Sequence, residues 1–270
     1  MRASRAPARR LRSRRALWAL PVMALALVGV LTIVAAARSA RGSDADVLFP
    51  DLRSVVPPGE LGLEYGFAGQ LFLRFEHVIH NAGLGRLEAR PDYDARSGTA
   101  ANIQRLWGID ASGEWRLVRE EETEGVYAFD PPHEHYHFPV IVHALHEVAP
   151  DGGVGGPVAP SHKVGYCLGD TYIVERNRYT PEADSDLLYP RETCRDPRAM
   201  RGISPGWGDQ YEAELEGQSI NVNHLPEGDY WFVSTADPDD VFRESDETNN
   251  RTLVRIHLSR TGVTVLEPAP

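Results

Sequence analysis

The chain has 270 residues, of which 42% are hydrophobic, and a formal net charge of −11 at pH 7. The first 41 residues carry nine arginines and no acidic residue, so the remaining chain has 19 basic against 39 acidic residues. A surface this acidic repels phosphate backbones, which excludes nucleic acid as an expected partner and favours cationic ones. The same charge is also consistent with solubility alone.

The chain begins with a basic segment that is followed by an apolar one. Residues 1–15 contain seven arginines, and residues 16–37 contain no charged side chain. The apolar segment is longer than the core of an ordinary signal peptide and matches the ~20 residues that span a bilayer, which favours an uncleaved helical anchor. Ala35, Ala36 and Ala37 keep signal-peptide cleavage open as the alternative. We therefore expect an N-terminal hydrophobic helix as the only membrane contact, a linker at residues 38–46, and a domain at residues 47–270 that is held outside the membrane or secreted.

Short runs rich in β-branched and aromatic residues indicate strands in the exported part. Clusters of Gly, Pro, Asn and Asp separate them, and long helical periodicity is absent. The predicted fold class is all-β, a β-sandwich with long irregular loops. One such loop covers residues 172–203, which are polar and contain three prolines. The predicted strand segments are residues 71–75, 77–79, 115–118, 141–142, 230–233 and 253–256.

Three histidines at alternate positions are the strongest chemical signal. In a strand, His133, His135 and His137 project from one face, with Glu134 and Tyr136 on the other. Three imidazoles can converge on one copper or zinc ion and leave a coordination position open, as in catalytic sites. Six other histidines do not continue the alternation and are interpreted as structural or as outer neighbours of the metal site: His77, His80, His143, His146, His224 and His257.

The chain has a single lysine, Lys163, among 28 basic residues. Arginine replaces lysine as a surface charge but cannot supply an unprotonated nucleophilic amine, so this exception suggests amine chemistry, although chance retention is an alternative. The chain also has two cysteines, Cys167 and Cys194. In an exported protein, a pair of cysteines favours one disulfide over a metal site.

Taken in order, these motifs resemble the lysyl oxidase family over roughly 220 residues. The histidine run is similar to the family's copper motif, and Ser161, His162 and Lys163 are similar to its Gly-His-Lys segment. The other matching segments are Pro-Asp-Leu at residues 50–52, Leu-Arg-Phe at 73–75, Asn-Ala-Gly at 81–83, Cys-Leu-Gly-Asp-Thr at 167–171, Gly-Ile-Ser-Pro-Gly at 202–206, Glu-Gly-Asp-Tyr at 227–230 and Glu-Ser-Asp-Glu-Thr-Asn-Asn at 244–250.

The resemblance implies a copper enzyme with a lysine tyrosylquinone cofactor made from Lys163 and Tyr211. Copper and oxygen would oxidise the Tyr211 ring to a quinone, to which the Lys163 amine adds. The family chemistry converts primary amines, including peptidyl lysine, and molecular oxygen to aldehydes, ammonia and hydrogen peroxide. By the same resemblance Asp209 is the candidate general base, with a turn aspartate as the equally simple alternative, and His162 is either an outer neighbour of the site or structural.

The chain also departs from the family pattern. Animal members have a cysteine before the first metal histidine, where this chain has Pro132, and acidic residues after the third, where it has Pro139 and Val140. Two other functions therefore stay open. One is a non-catalytic metal-binding sandwich on the cell surface for adhesion or scaffolding, and the other is a zinc hydrolase that uses the same histidines.

Overall fold

The computed structural model describes residues 43–57, 59–131, 134–161, 165–182 and 187–267. All of them belong to the unit Ser43–Pro270. The predicted apolar helix at residues 16–37 lies outside these ranges, as do His133, His162 and Lys163. Within the described ranges, no helix is long and apolar enough to cross a bilayer.

Strands dominate the described residues, with only three short 3₁₀ helices, at Asp44–Asp46, Phe67–Gly69 and Arg191–Arg195. All six predicted strand segments fall within strands. The strands are β1 (Leu52–Val55), β2 (Leu61–Tyr65), β3 (Leu71–Phe75), β4 (His77–Asn81), β5 (Leu87–Asp94), β6 (Thr99–Ile109), β7 (Trp115–Asp130), β8 (His135–His137), β9 (Ile141–Val148), β10 (Val154–Pro160), β11 (Tyr172–Ile173), β12 (Arg201–Ile203), β13 (Trp207–Tyr211), β14 (Ser219–Asn221), β15 (Gly228–Ala236), β16 (Arg251–Leu258) and β17 (Val263–Glu267).

The strands form four antiparallel sheets, which confirms the all-β prediction. One four-stranded sheet has the order β1-β4-β13-β11, and a three-stranded sheet has the order β14-β3-β2. The two five-stranded sheets have the orders β10-β9-β15-β16-β17 and β12-β5-β6-β7-β8. Antiparallel pairing allows one face of each sheet to pack on a core while the other meets water.

Alternating burial along the strands builds two hydrophobic clusters. In β3, Leu71, Leu73 and Phe75 are buried, and they belong to a cluster with Phe232 and Ile256 of the sheet that contains β15 and β16. The second cluster contains Tyr211 and joins residues of the two remaining sheets to Ile141 of β9 and Ala236 of β15. Complete burial of a side chain such as Leu or Phe contributes about 1.5–3 kcal/mol, so these clusters hold the strands that carry the site.

Strand register decides which residues lie opposite the predicted site residues. In β13, Tyr211 pairs with His77 of β4, and Asp209 pairs with Ile79. At the edge of another sheet, His135 of β8 pairs with Asp130 of β7. Because register fixes which face each side chain occupies, these pairings decide what surrounds the histidines and the tyrosine.

The segment predicted as one long loop, residues 172–203, contains β11, a 3₁₀ helix and β12 within its described parts. Arg201, which is 1% exposed, ties it down by donating to the carbonyl oxygens of Ala199, Cys194 and Asp196 at 2.7, 3.2 and 2.7 Å. A buried guanidinium is stable only with such partners. The backbone between Cys194 and Arg201 is therefore held in one conformation.

Candidate active site

Strand β8 presents two of the three predicted metal ligands on one face. The Nε2 atoms of His135 and His137 lie 2.7 Å apart, and their ring centroids are separated by 4.4 Å. Glu134, immediately before the strand, has φ 55°, a left-handed conformation. The predicted regular alternation therefore holds from His135 onward and is wrong at Glu134, because the chain turns there.

A carboxylate orients the second histidine. The Nδ1 atom of His137 lies 3.1 Å from an oxygen of Asp130. A partner of this kind on Nδ1 fixes the imidazole tautomer and leaves Nε2 as the donor to a metal. No local pattern in the sequence indicates Asp130, although its place at the end of β7 opposite His135 follows once the β7–β8 pairing is known.

The donor set suits copper or zinc, since imidazole nitrogen is a ligand for both. Among the described residues alone, no group of three or more His, Cys, Asp or Glu side chains gathers at one point. The third predicted ligand, His133, lies outside those residues. The described residues therefore offer two facing imidazole nitrogens, one fewer than a three-histidine site needs.

Tyr211 is buried, with 4% of its surface exposed, and its hydroxyl group is held by the backbone of Cys167. The hydroxyl donates to the Cys167 carbonyl oxygen at 3.0 Å and accepts from the Cys167 N–H at 3.2 Å. Burial and the nearby negative charge of Asp209 raise the pKa of Tyr211 well above its usual range. Around neutral pH the side chain is therefore a protonated phenol.

Three other side chains enclose the Tyr211 ring. His77 stacks on it with centroids 5.2 Å apart and an interplanar angle of 6°, and Tyr166 meets it edge to face at 4.7 Å. The Arg191 guanidinium carbon lies 4.9 Å from the ring centroid. Aromatic and cation–π contacts of this kind restrict the ring to one orientation. None of these neighbours was predicted, because they come from distant parts of the sequence.

Asp209 lies near the same ring with a side chain that is 0% exposed. The Nε atom of Arg191 is 3.6 Å from its Oδ1 atom. Asp209 also contributes to the raised pKa of Tyr166, after the larger effect of burial. Asp209 is thus a buried carboxylate close to the tyrosine, and the predicted turn alternative is wrong because Asp209 lies within β13.

The chain just after Lys163 connects the histidines to the tyrosine. A Cβ atom placed on Gly165 would lie only 2.6 Å from the His137 Cβ, so glycine permits close approach there. Phe138 and Tyr166 exchange two backbone hydrogen bonds of 2.9 Å. The backbone of Cys167 then hydrogen-bonds to the Tyr211 hydroxyl. Residues 165–167 therefore run from the histidine strand to the tyrosine.

A disulfide joins Cys167 to Cys194, and the two Cα atoms are 6.0 Å apart. It links the segment after Lys163 to the 3₁₀ helix Arg191–Arg195. The bridge borders a cavity of about 320 Å³. The cavity is lined by His135, Cys167, Arg191, Glu192, Cys194 and Arg195. From this space a small molecule can approach both His135 and Arg191.

The histidines interpreted as structural have varied surroundings. His143 packs against Phe75 and His77 at 4.6 and 4.4 Å between ring centroids. His146 and His224 lie 2.9 and 3.2 Å from backbone carbonyl oxygens. His77 differs from the other histidines of this group because it stacks on the Tyr211 ring.

The chain matches the lysyl oxidase family profile over residues 113–267, more than half of its length. The chain belongs to the lysyl oxidase family. The matched range includes His135 and His137, both cysteines, Asp209 and Tyr211.

Curated relatives agree with this family assignment. Over 130 residues, 48% of this chain, it is 30% identical to human lysyl oxidase homolog 1 and to human protein-lysine 6-oxidase. It is 29% identical to pig protein-lysine 6-oxidase over the same length. The alignments cover 20%, 27% and 45% of these relatives, so the chain spans less than half of their length.

The structure ties motifs outside the matched range to this lysyl oxidase region. Pro50 O accepts from Ser245 N at 2.8 Å, and Asp51 accepts from the Asn249 side chain at 2.8 Å. The Asn81 side-chain amide donates to Ile203 O at 2.9 Å. The resemblance of the N-terminal motifs therefore reflects residues that are joined in one fold.

Proposed function

We propose that this chain is a copper- and quinone-dependent amine oxidase that converts primary amines, including peptidyl lysine, to aldehydes. The reaction consumes one amine, one oxygen and one water molecule, and releases aldehyde, ammonia and hydrogen peroxide. The observation that carries the proposal is the path of residues 165–167, which starts two positions after Lys163. This segment packs on His137 and hydrogen-bonds Tyr211.

The proposed copper ligands are His133, His135 and His137. The facing Nε2 atoms of the two described histidines and the Asp130 oxygen beside His137 Nδ1 support the proposal. A ligand held by an outer carboxylate loses less freedom on binding metal and remains in the correct tautomer.

The proposed cofactor is lysine tyrosylquinone made from Lys163 and Tyr211. Lys163 precedes Tyr166 by three residues, a span of at most about 11 Å, and the Tyr166 ring lies 4.7 Å from that of Tyr211. When formed, this group supplies an electrophilic carbonyl for the substrate amine and, together with copper, carries electrons to oxygen. Because His77 and the backbone of Cys167 fix the ring, its orientation is set before any substrate arrives.

Asp209 is the proposed general base, which accepts the proton from the carbon next to the substrate nitrogen. Its complete burial and its place two residues before Tyr211 support this role. Arg191 compensates the charge of this carboxylate, and the disulfide keeps the cavity wall in place. These residues orient the reacting groups and limit the access of water.

We also propose the domain plan predicted from the sequence. Residues 1–15 form a cytoplasmic basic segment, 16–37 a helical anchor or a signal peptide, 38–46 a linker, and 47–270 a catalytic β-sandwich. The anchor would leave the domain at the outer face of the membrane, and cleavage would release it. The two hydrophobic clusters between packed sheets support the sandwich.

The visible spectrum of the full chain matured aerobically with copper tests the function. We expect quinone absorbance, one copper per chain, and a coloured adduct with phenylhydrazine, together with peroxide release from a primary amine. The Tyr211→Phe variant is the matched control and should bind copper without developing colour. A colourless wild-type protein that binds copper but does not react with phenylhydrazine would refute the cofactor.

A further inference from the structure

We propose that His77 and Gln218 are positioning residues for Tyr211. The Gln218 amide fixes the His77 imidazole, and the imidazole prevents rotation of the Tyr211 ring. The ring then keeps each of its two edges in constant surroundings before any oxidation occurs. The consequence for cofactor formation rests on the proposed function, whereas the restraint on the ring does not.

The hydrogen bonds of the Tyr211 hydroxyl do not restrain rotation of the ring. The hydroxyl oxygen lies on the Cβ–Cγ axis about which the ring turns, so its two bonds to the Cys167 backbone persist through a half-turn. The χ2 torsion of tyrosine is roughly two-fold, so the torsion itself favours neither of the two half-turn states. Once one ortho carbon has gained oxygen, these states place the new oxygen on opposite sides of the ring. A contact with the ring face is therefore needed to keep one of them.

His77 supplies the contact with the ring face. It pairs with Tyr211 across β4 and β13, so the two side chains are neighbours on one face of the sheet. Their rings are parallel to within 6°, with centroids 5.2 Å apart. The Tyr166 ring is nearly perpendicular to both, with its centroid 5.1 Å from that of His77 and 4.7 Å from that of Tyr211. A half-turn of the Tyr211 ring would drive one edge toward the imidazole, so the ring turns only if His77 moves.

Two buried side chains hold His77 in place. Its ring packs against that of His143, with centroids 4.4 Å apart, and the Gln218 Nε2 atom lies 3.0 Å from its Nδ1 atom. The same Nε2 atom donates to Tyr211 O at 3.4 Å. Because a backbone carbonyl only accepts, this contact assigns the amide nitrogen as a donor, and its second N–H donates to His77 Nδ1. The imidazole is thus neutral with its proton on Nε2, and Gln218 joins it to the backbone of Tyr211.

The chain that carries Lys163 is bonded to the same group of residues. Ser161, two positions before the lysine, donates its N–H to His143 O at 2.9 Å and its hydroxyl group to Gly217 O at 3.4 Å. Gly217 directly precedes Gln218. The chain before the lysine is therefore fixed relative to the residues that hold the ring. Rotation of the ring would change which of its edges faces this chain, and this is the movement that the imidazole prevents.

Rotation of the ring is measured before any cofactor exists. In the full copper-free chain with ¹³C at the tyrosine ε carbons, slow rotation gives two exchanging signals for Tyr211, which the Tyr211→Phe variant identifies. Loss of one aromatic pair should raise the exchange rate about two- to ten-fold in His77→Ala, and His77→Phe, which can stack, should restore it. Tyr189, a buried tyrosine bonded to Glu88, is the internal control. A single averaged signal from wild type, or an unchanged Tyr211 rate in His77→Ala, would overturn the proposal.

The Gln218 contact is tested separately, without any change at His77. ¹⁵N spectra distinguish a protonated from an unprotonated imidazole nitrogen, and in copper-free wild type the His77 Nδ1 atom should be unprotonated and Nε2 protonated. Gln218→Met has a similar volume but no N–H, so the Tyr211 exchange rate should rise about two- to ten-fold, as expected for the loss of one hydrogen bond. A protonated Nδ1 atom in wild type, or an unchanged Tyr211 rate in Gln218→Met, would overturn the role of Gln218.

The consequence for the cofactor is measured by resistance to endoproteinase Lys-C. The proposed cofactor forms from Tyr211, Lys163 and two oxygen molecules, and one water and one hydrogen peroxide molecule are released. During aerobic maturation with copper, His77→Ala should become resistant about two-fold more slowly than wild type, because a freely turning ring spends half of its time in each state. Copper per chain should stay the same.

Two variants control this measurement. His77→Phe should recover the wild-type rate, and His257→Ala, at an exposed histidine, should keep it. Equal rates in His77→Ala and wild type would contradict the consequence for the cofactor. If wild type never becomes resistant, the bond to Lys163 is absent and the proposed function fails, whereas the exchange rates of the copper-free chain still decide the role of His77.

Discussion

The Tyr211 hydroxyl and the backbone of Cys167 form a reciprocal pair of hydrogen bonds of 3.0 and 3.2 Å. Cys167 lies four residues after Lys163 and is bonded through its sulfur to Cys194. Cys167 thus connects Tyr211, the segment that follows Lys163, and the 3₁₀ helix that contains Cys194.

Removing the disulfide should destabilise the domain and loosen Tyr211. The bridge closes a 27-residue separation, for which loop entropy gives at most about 3.5 kcal/mol of stabilisation. In urea unfolding, Cys167→Ala/Cys194→Ala should lose up to that amount, and reduced wild type should behave alike. Titration of two free thiols in the oxidised folded protein would show that the bridge does not form.

His135→Ala should abolish copper binding and prevent quinone formation. Two remaining imidazoles are too few donors to hold the ion against water and dialysis. Copper per chain, measured by elemental analysis after dialysis, should fall from one to near zero. His257→Ala, at an exposed histidine 2.8 Å from Asp229, should retain copper and serves as the control. Stoichiometric copper and normal colour in His135→Ala would remove this histidine from the site.

Local patterns predicted the strands and the cysteine pair, but not the surroundings of the site. Runs such as residues 71–75 alternate buried and less buried residues, so each run carries its own signal. Asp130 and His77 gain their roles only through strand register between distant segments. The turn at Glu134, with φ 55°, interrupts an alternation that looks continuous in sequence. Long-range packing, which no local period encodes, therefore explains what the sequence missed.

Asp209→Asn should separate cofactor formation from turnover. The amide keeps the shape of the carboxylate but cannot accept the substrate proton, and loss of a general base typically costs 10²–10⁴-fold in rate. We expect kcat for a primary amine to fall about 100-fold or more while phenylhydrazine labelling persists. Asp92→Asn, at an exposed position, is the control. Undiminished kcat in Asp209→Asn would assign the base to another group.

Acid should destabilise the domain through His80. Its side chain is 3% exposed, and burial lowers its pKa from 6.5 to about 4. Between these values the unfolded chain binds the proton and the folded chain does not, so stability falls as pH decreases from 6.5 to 4, by up to about 3 kcal/mol. His80→Gln should flatten urea stability across this window relative to wild type, whereas the exposed His224→Gln should not. An unchanged pH slope in His80→Gln would contradict the prediction.

The bond between Lys163 and Tyr211 is the central claim, and digestion with endoproteinase Lys-C tests it most directly. Lys163 is the only lysine, so the enzyme has one cleavage site in the chain. Copper-free protein, once denatured and reduced, should be cut there. Protein matured aerobically with copper should resist, because a lysine bonded to the Tyr211 ring no longer fits a pocket for an ammonium group, and Tyr211→Phe treated in the same way should be cut. Complete cleavage of denatured, copper-matured wild type at Lys163 would contradict the account.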